Sequence, residues 1–251
     1  MSGPDIHPTA VVHSGATLGS GCRVGAFCEI GPHATLGANC EVQGHCSVGV
    51  NAGPSGPAPL LIGEGATIRS HSVIYAGSTI GSGLRTGHHV TIREGSTVGN
   101  GVQFGTQTDV QGHLRVGDYV KVHSAVFIAQ NADIGDYAWL FPRVVFTDDP
   151  HPPSEVRQGI TVEPFAAVGA NATLLPGLTV GRGALIAAGS TLTRDAGADE
   201  VWKGNPARCA GPTSRLRHVE TGKPAYPWRR HFHRGYPDAV VREWLYEFPN
   251  G

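Results

Sequence analysis

The chain has 251 residues, with 19 Lys and Arg against 20 Asp and Glu, so its formal net charge is −1. This balance excludes the basic footprint typical of nucleic-acid-binding proteins. No apolar run approaches the roughly 18 residues of a membrane span, and the N-terminus shows no secretory signal pattern. We therefore expect a soluble, cytoplasmic protein without nucleic-acid or membrane partners.

An aliphatic residue recurs at every sixth position in three runs, at residues 6–48, 62–146 and 162–192. Of the 29 positions 28 are apolar, and Thr86 is the exception. The residue two positions earlier is mostly small or apolar, as alternating strand side chains require. Glycine often follows the aliphatic residue, which suits a tight turn. The pattern predicts strand-and-turn units of six residues that stack into a parallel β-helix.

Two interruptions of the period, at residues 49–61 and 147–161, are predicted to be loops that leave the coils. Long loops on a rigid scaffold often carry functional residues. We divide the chain into a hexapeptide-repeat β-helix, residues 1–197, and a C-terminal extension, residues 198–251.

The C-terminal extension is rich in aromatic residues and ends in a predicted helix. Asp238 follows a proline and precedes the run AVVREWLYEF, which predicts a short α-helix with Asp238 as its N-cap. Two interpretations stay open for this tail. Either it covers an open end or flank of the β-helix, whose unpaired edge is a liability, or its aromatic side chains line a substrate pocket.

The repeat resembles that of the hexapeptide-repeat acyltransferases. The opening DIHPTAVVHSGATLGSGCRVGAFCEIGP is similar to the first coils of the lipid A acyltransferases that acylate UDP-N-acetylglucosamine. The stretch VHSAVFIAQNADIGDYAWLFPRVVFTDD and the closing KGNPAR look closer to the acetyl-CoA-dependent N-acetyltransferases of nucleotide-linked amino sugars. The resemblance implies an all-β fold, a left-handed parallel β-helix with 18 residues per coil and about ten coils here. It also implies a homotrimer with sites between subunits.

For the acyl donor, the resemblance implies acetyl-CoA in a groove between neighbouring subunits, and no metal is expected. Backbone groups of small residues near Gly169, Ala187 and Ala188 would hold the cofactor, since close approach needs small side chains. Lys203 and Arg208, in KGNPAR, would approach its phosphates.

For the amino-sugar acceptor, the candidates are Asn131, Asp148, Asp149, His151 and Arg157, most of them in the second loop. Asp148 follows a Phe-Thr pair, where a carboxylate suits holding the sugar ammonium or taking its proton. Arg157 is a candidate contact for a diphosphate.

Histidines supply candidate acid–base groups. His123 follows a repeat aliphatic, so it should project outward, and counting back by 18 places Gly105, Gly87 and then Arg69 beneath it. This predicts a shallow groove along the outer wall, in which a neutral imidazole suits a general base. His89 is expected at a coil corner, as a solvated side chain or a substrate contact.

One departure from the family pattern bears on the mechanism. Gln130 stands where those families carry a catalytic histidine, and an amide is no general base. The departure favours N-acylation, because an amine needs only to lose a proton, and leaves His123 and Asp148 as the catalytic candidates. The alternatives are an O-acyltransferase acting on a sugar or sugar nucleotide, including one with an acyl-carrier-protein donor, and a non-catalytic β-helix scaffold.

Four of the five cysteines fall in the small inward column of the repeat. Cys22 and Cys40 are 18 residues apart, and so are Cys28 and Cys46. We interpret them as stacked core residues and expect neither a metal site nor a disulfide among them.

Overall fold

A computed structural model describes residues 3–51, 53 and 58–248 and shows a parallel β-solenoid. The described strands of its first half are β1 (Asp5–Ile6), β2 (Val11–Val12), β3 (Thr17–Leu18), β4 (Arg23–Val24), β5 (Glu29–Ile30), β6 (Ala34–Leu36), β7 (Glu41–Val42), β8 (Ser47–Val50), β9 (Leu60–Ile62), β10 (Thr67–Ile68), β11 (Val73–Tyr75), β12 (Thr79–Ile80), β13 (Arg85–Thr86), β14 (Thr91–Ile92) and β15 (Thr97–Val98). Those of the second half are β16 (Gln103–Phe104), β17 (Asp109–Val110), β18 (Arg115–Val116), β19 (Lys121–Val122), β20 (Phe127–Ile128), β21 (Asp133–Ile134), β22 (Trp139–Leu140), β23 (Val145–Phe146), β24 (Thr161–Val162), β25 (Ala167–Val168), β26 (Thr173–Leu174), β27 (Thr179–Val180), β28 (Leu185–Ile186), β29 (Thr191–Leu192), β30 (Glu200–Gly204) and β31 (Ala207–Pro212).

From β1 to β29, every third strand lies in the same sheet. Sheet A runs from β1 through β4 and β7 to β28 and β30, sheet B from β2 to β29, and sheet C from β3 to β27. Sheet A has eleven parallel strands, sheet B ten and sheet C nine, which agrees with the expected number of about ten coils. The arrangement confirms the predicted all-β, left-handed parallel β-helix. Strand β31 pairs antiparallel with β30 and ends sheet A.

Three corners join the sheets, and we name each by the sheets that it connects. At the A–B corner the chain passes from sheet A to sheet B, and the B–C and C–A corners follow in turn. Because neighbouring strands pair in register, residues at equivalent positions of successive coils stack along each corner.

The repeat aliphatics fill the interior of the solenoid. Ile30 and Ile134 are fully buried, whereas Ile6, in the first coil, is 39% exposed. Thr86 is buried among them, and its Oγ1 accepts a hydrogen bond of 2.9 Å from the backbone N–H of Arg69. The polar exception in the repeat is therefore satisfied inside the core.

The core interpretation of the cysteines is confirmed. Cys22, Cys28, Cys40 and Cys46 are free thiols, each no more than 2% exposed. They pack in the same hydrophobic cluster as the repeat aliphatics.

Both predicted loops leave the solenoid at the B–C corner. The first lies between β8 and β9, and residues 52 and 54–57 of it fall outside the described residues. The second lies between β23 and β24 and is described throughout. The two loops therefore interrupt the B–C corner and leave the A–B and C–A corners continuous.

The tail contains two 3₁₀ turns, Thr213–Arg215 and Trp228–Arg230, and the helix α1 (Asp238–Glu247). The predicted helix is confirmed, but the predicted cap is wrong by one residue. Pro237 occupies the N-cap with extended backbone angles, and no side chain caps the helix. Asp238 is the first helical residue, where its negative charge suits the helix dipole.

Aromatic side chains of the tail pack on the flank of the solenoid. Tyr236 and Trp244 form a buried cluster with Phe165, next to Tyr137 and Trp139 of the coils. The tail therefore covers part of sheet A and the C–A corner.

Among the residues that the structure describes, we find no helix with the length and apolar character of a membrane span.

We expect Ile134→Ala to lower the free energy of unfolding by about 2–5 kcal/mol, because it opens a cavity in a filled core. Ile6→Ala is the matched control, and it should have a much smaller effect because Ile6 is 39% exposed. Guanidinium denaturation followed by far-UV circular dichroism measures both. Equal losses in the two variants would contradict the packing described.

Candidate functional site

A groove of about 710 Å³ lies on the outer face of sheet A, and we call it the basic groove. Strands β10, β13, β16 and β19 form its floor, and the tail forms one wall. Its lining residues are Thr67, Arg69, Arg85, Thr86, Gly87, Gln103, Phe104, Gly105, Lys121, Val122, His123, Ser124, Trp139, Phe232, Arg234 and Gly235. The groove predicted from the column beneath His123 is therefore present.

His123 stands at the A–B corner with two glycines beneath it. A Cβ on Gly105 would lie 2.4 Å from the backbone of His123 and Ser124, so the coils pack too closely there for a side chain. The imidazole stacks on Phe141, with ring centroids 5.0 Å apart, and lies 5.7 Å from the Trp139 ring. Aromatic packing above and glycines below leave the imidazole facing the groove.

Lys121 is 9% exposed and lies at the junction of the solenoid and the tail. Its Nζ lies 4.2 Å from the ring centroid of Tyr236 and 5.0 Å from that of Trp139, within cation–π range. It donates a hydrogen bond of 3.0 Å to the backbone carbonyl of Arg234. Lys121 thus ties the tail to the floor of the groove.

Both titratable groups at the centre of the groove have lowered pKa values. Burial lowers the pKa of His123 below 6.5, and the charge of Lys121 lowers it further. Burial also lowers the pKa of Lys121, assisted by the positive charges of Arg234 and Arg85. The imidazole is therefore neutral, and able to accept a proton, at neutral pH.

A second cavity of about 290 Å³ adjoins the basic groove, and we call it the aromatic cavity. It is lined by Trp139, Phe141, Ala167, Tyr226, Trp228, His231 and Phe232. The indole N–H groups of Trp139 and Trp228 already donate to Tyr236 Oη and the Phe165 carbonyl. The cavity therefore offers mainly apolar surface. The tail covers a flank of the solenoid, and its aromatic side chains line a cavity. That this cavity receives a substrate stays a prediction.

The A–B corner also carries the residues predicted to hold the acyl donor. Gly169 and Ala187 continue the column of His123 and Phe141, since Phe141 N–H bonds to the Val168 carbonyl and Gly169 N–H to the Ile186 carbonyl. A Cβ on Gly169 would lie 2.5 Å from the nitrogen of Ala188, so glycine is required there.

Lys203 follows at the end of this column, and Arg208 lies directly opposite it. The two residues pair across the β30–β31 hairpin, and both are exposed. All five predicted donor-binding residues therefore lie together at the last coils, on the same corner as His123.

The predicted acceptor-binding residues lie at a different corner. Asn131 is exposed in a B–C turn, and Asp148 and His151 lie in the loop that leaves the same corner one coil later. Within one chain, the structure does not bring Asp148 to His123. The two catalytic candidates lie at different corners of the solenoid.

Inside this loop, the charged side chains bind mainly to each other. Asp149 accepts hydrogen bonds from the Ser154 hydroxyl (2.6 Å) and from the backbone N–H of Ser154 and His151, and these contacts lower its pKa. Arg157 lies 3.5 Å from Asp148 and from Asp149 and donates to two loop carbonyls. Asp149 and Arg157 therefore stabilise the conformation of the loop.

His89 lies on the A–B corner two coils before His123. It is the last ring of an exposed stack that begins at Phe27 and continues through His45 and His71, with centroid separations of 4.7–5.1 Å. His89 therefore lies at a coil corner, as predicted, and its ring stacks on that of His71.

Sequence reasoning missed most of the cations and rings of the basic groove. Arg85, Gln103, Lys121 and Trp139 are spaced by 18, so the repeat held the signal for one outward column on sheet A. Nothing in the sequence placed the tail over that column.

The hexapeptide repeat is matched by a family model described as the hexapeptide repeat of succinyl-transferase, over residues 159–194. The chain is 36% identical over 61 residues to a 2,3,4,5-tetrahydropyridine-2,6-dicarboxylate N-acetyltransferase of Staphylococcus aureus strain JH9. That match covers 24% of this chain and 26% of the relative, so the chain spans about a quarter of the length of the curated relatives it matches.

The fold is shared with Arabidopsis UDP-N-acetylglucosamine acyltransferase. The TM-score is 0.70 at 19% identity, over 96% of this chain and 88% of that chain. The repeat, the family model and the shared fold confirm the resemblance to the hexapeptide-repeat acyltransferases.

We expect His123 to titrate below pH 6.5 in an NMR experiment on the imidazole carbon-bound protons. Lys121→Gln should move this pKa upward, since it removes a neighbouring positive charge. Lys203→Gln is the control and should leave the His123 pKa in place. A wild-type pKa at or above 6.5 would show that the imidazole is not held neutral by its surroundings.

Proposed function

We propose that the protein transfers an acetyl group from acetyl-CoA to the amino group of a nucleotide-linked amino sugar. One observation carries the proposal: the imidazole of His123 stands on the same solenoid corner as Gly169 and Ala187, two of the predicted donor-binding residues. Burial lowers the pKa of this imidazole, which favours its neutral form. A donor laid along this corner would present its thioester near the imidazole.

The donor end of the site combines close backbone approach with positive charge. Gly169 and Ala187 keep the corner free of long side chains, so a pantetheine arm can lie against the backbone. Lys203 and Arg208 provide two exposed cations for the CoA phosphates. The acetyl end would enter the aromatic cavity. Phe141, which stacks on His123, and Ala167, which lies in the same coil as Gly169, both line this cavity.

The reaction needs one proton acceptor and a holder for one oxyanion. The amine lone pair attacks the thioester carbonyl carbon, a C–N bond forms, and the amine proton passes to the imidazole of His123. Backbone N–H groups hold the tetrahedral oxyanion until the C–S bond breaks and CoA leaves as thiolate. Much of the rate enhancement would come from positioning the two substrates.

The separation of Asp148 from His123 is consistent with a site shared between copies of the chain. We propose a homotrimer in which the 147–160 loop of one copy approaches the A–B corner of the next. In that arrangement the carboxylate of Asp148 would hold the sugar ammonium beside His123 or take its proton.

Calorimetric titration with acetyl-CoA tests the donor assignment. We expect saturable binding, weakened at least tenfold by Lys203→Ala combined with Arg208→Ala, because two charge-assisted contacts to phosphate are lost. The matched control is Arg115→Ala, whose guanidinium pairs with Asp133 on sheet C. Absence of acetyl-CoA binding by the wild-type protein would contradict the proposal and leave an acyl-carrier donor or a scaffold.

A further inference from the structure

The described residues that line the basic groove carry a net positive charge, unlike the chain as a whole. Arg69, Arg85, Lys121 and Arg234 line it, and no Asp or Glu is among its described lining residues. The chain as a whole has a net charge of −1. The cations are therefore concentrated at this site, where they create a strongly positive local potential.

Lys121 has no carboxylate partner among the described residues. Its ammonium is surrounded by aromatic rings and donates to one neutral carbonyl. Burying an ammonium without a counter-charge is unfavourable, and Arg85 and Arg234 increase the repulsion. An anion in the groove would relieve this repulsion.

The three guanidinium groups of the groove are also available. Within the described chain, no side-chain hydrogen bond or ion pair involves the guanidinium of Arg69, Arg85 or Arg234. Arg157, the predicted diphosphate contact, is instead held by two carboxylates and two carbonyls of its own loop. The basic groove therefore offers an anion more unpaired cations than the second loop does.

The tail completes this site from the far side. Gly235 has a positive φ of 82°, and a Cβ there would lie 3.0 Å from Lys121 Nζ. Glycine thus lets the tail backbone approach the buried ammonium while the neighbouring Arg234 lines the groove. A ligand would be held between sheet A and the tail.

The extent of the groove indicates the size of the anion. Strands β10 and β19 are three coils apart, and each step along the sheet is about 4.8 Å, so the cations extend over roughly 14 Å. That span describes the backbone positions from which the cations project. A diphosphate ester, with two charged groups, can engage more of these cations at once than a single phosphate group can.

We propose that the basic groove binds the diphosphate of the acceptor, through Arg69, Arg85, Lys121 and the tail residue Arg234. This inference rests on the proposed function for the nature of the acceptor. It places the diphosphate on the tail side of His123, away from the donor phosphates at Lys203 and Arg208. The C-terminal tail thereby becomes part of the substrate site.

Calorimetric titration with inorganic pyrophosphate tests the groove directly. We expect binding that weakens with salt and falls at least tenfold in Arg85→Gln combined with Arg234→Gln. Neither substitution removes the tail anchor, because Lys121 bonds to the backbone carbonyl of residue 234. Arg157→Gln is the matched control and should bind as the wild type does. Loss of binding in Arg157→Gln with no change in the double variant would overturn the inference.

CoA also contains a diphosphate, so a second arm repeats the pyrophosphate titration on protein saturated with acetyl-CoA. Retained binding supports the acceptor diphosphate, and loss of binding would assign the groove to the donor and overturn the inference. The two proposals also fail separately. Pyrophosphate binding without acetyl-CoA binding refutes the donor assignment alone, and the reverse result refutes the groove assignment alone.

Discussion

The parallel register between coils is the constraint on which the rest of the structure depends. Most strands have only two or three residues, so the stack is held mainly by the repeat residue of each unit and by backbone bonds such as His123 N–H to the Leu140 carbonyl. Because the register is fixed, side chains at equivalent positions form straight columns along each face and corner. A column can then act as a continuous site: the A–B corner carries His123 and the candidate donor residues, and sheet A carries the floor of the basic groove.

The periodic part of this architecture could be predicted from the sequence, and the site only in part. Each of the 29 repeat positions lies in one of the strands β1 to β29, and the glycines beneath His123 predicted the groove on the outer wall. The alignment of Gly169 with His123 was hidden, because the second loop puts Phe141 and Gly169 28 positions apart instead of 18. The contact between Lys121 and Arg234 spans 113 residues and follows no period, so only the folded chain shows it.

Burial and positive charge act together on the candidate base. Both disfavour the imidazolium form of His123, so the groove that attracts anions also keeps the imidazole ready to accept a proton. Lys121 links the two effects, since its charge lowers the His123 pKa while its ammonium anchors the tail. The candidate base and the proposed anion site are therefore parts of one electrostatic arrangement.

The central claim is that His123 accepts the proton in acyl transfer at this corner. Its most direct test is the rate of thiol release from acetyl-CoA with a panel of nucleotide-linked amino sugars, in the wild type, in His123→Gln and in the control His71→Gln. The account predicts that kcat falls roughly 10²- to 10⁴-fold in His123→Gln, with acetyl-CoA affinity unchanged and the control near wild type. A His123→Gln variant that keeps the wild-type kcat would contradict it.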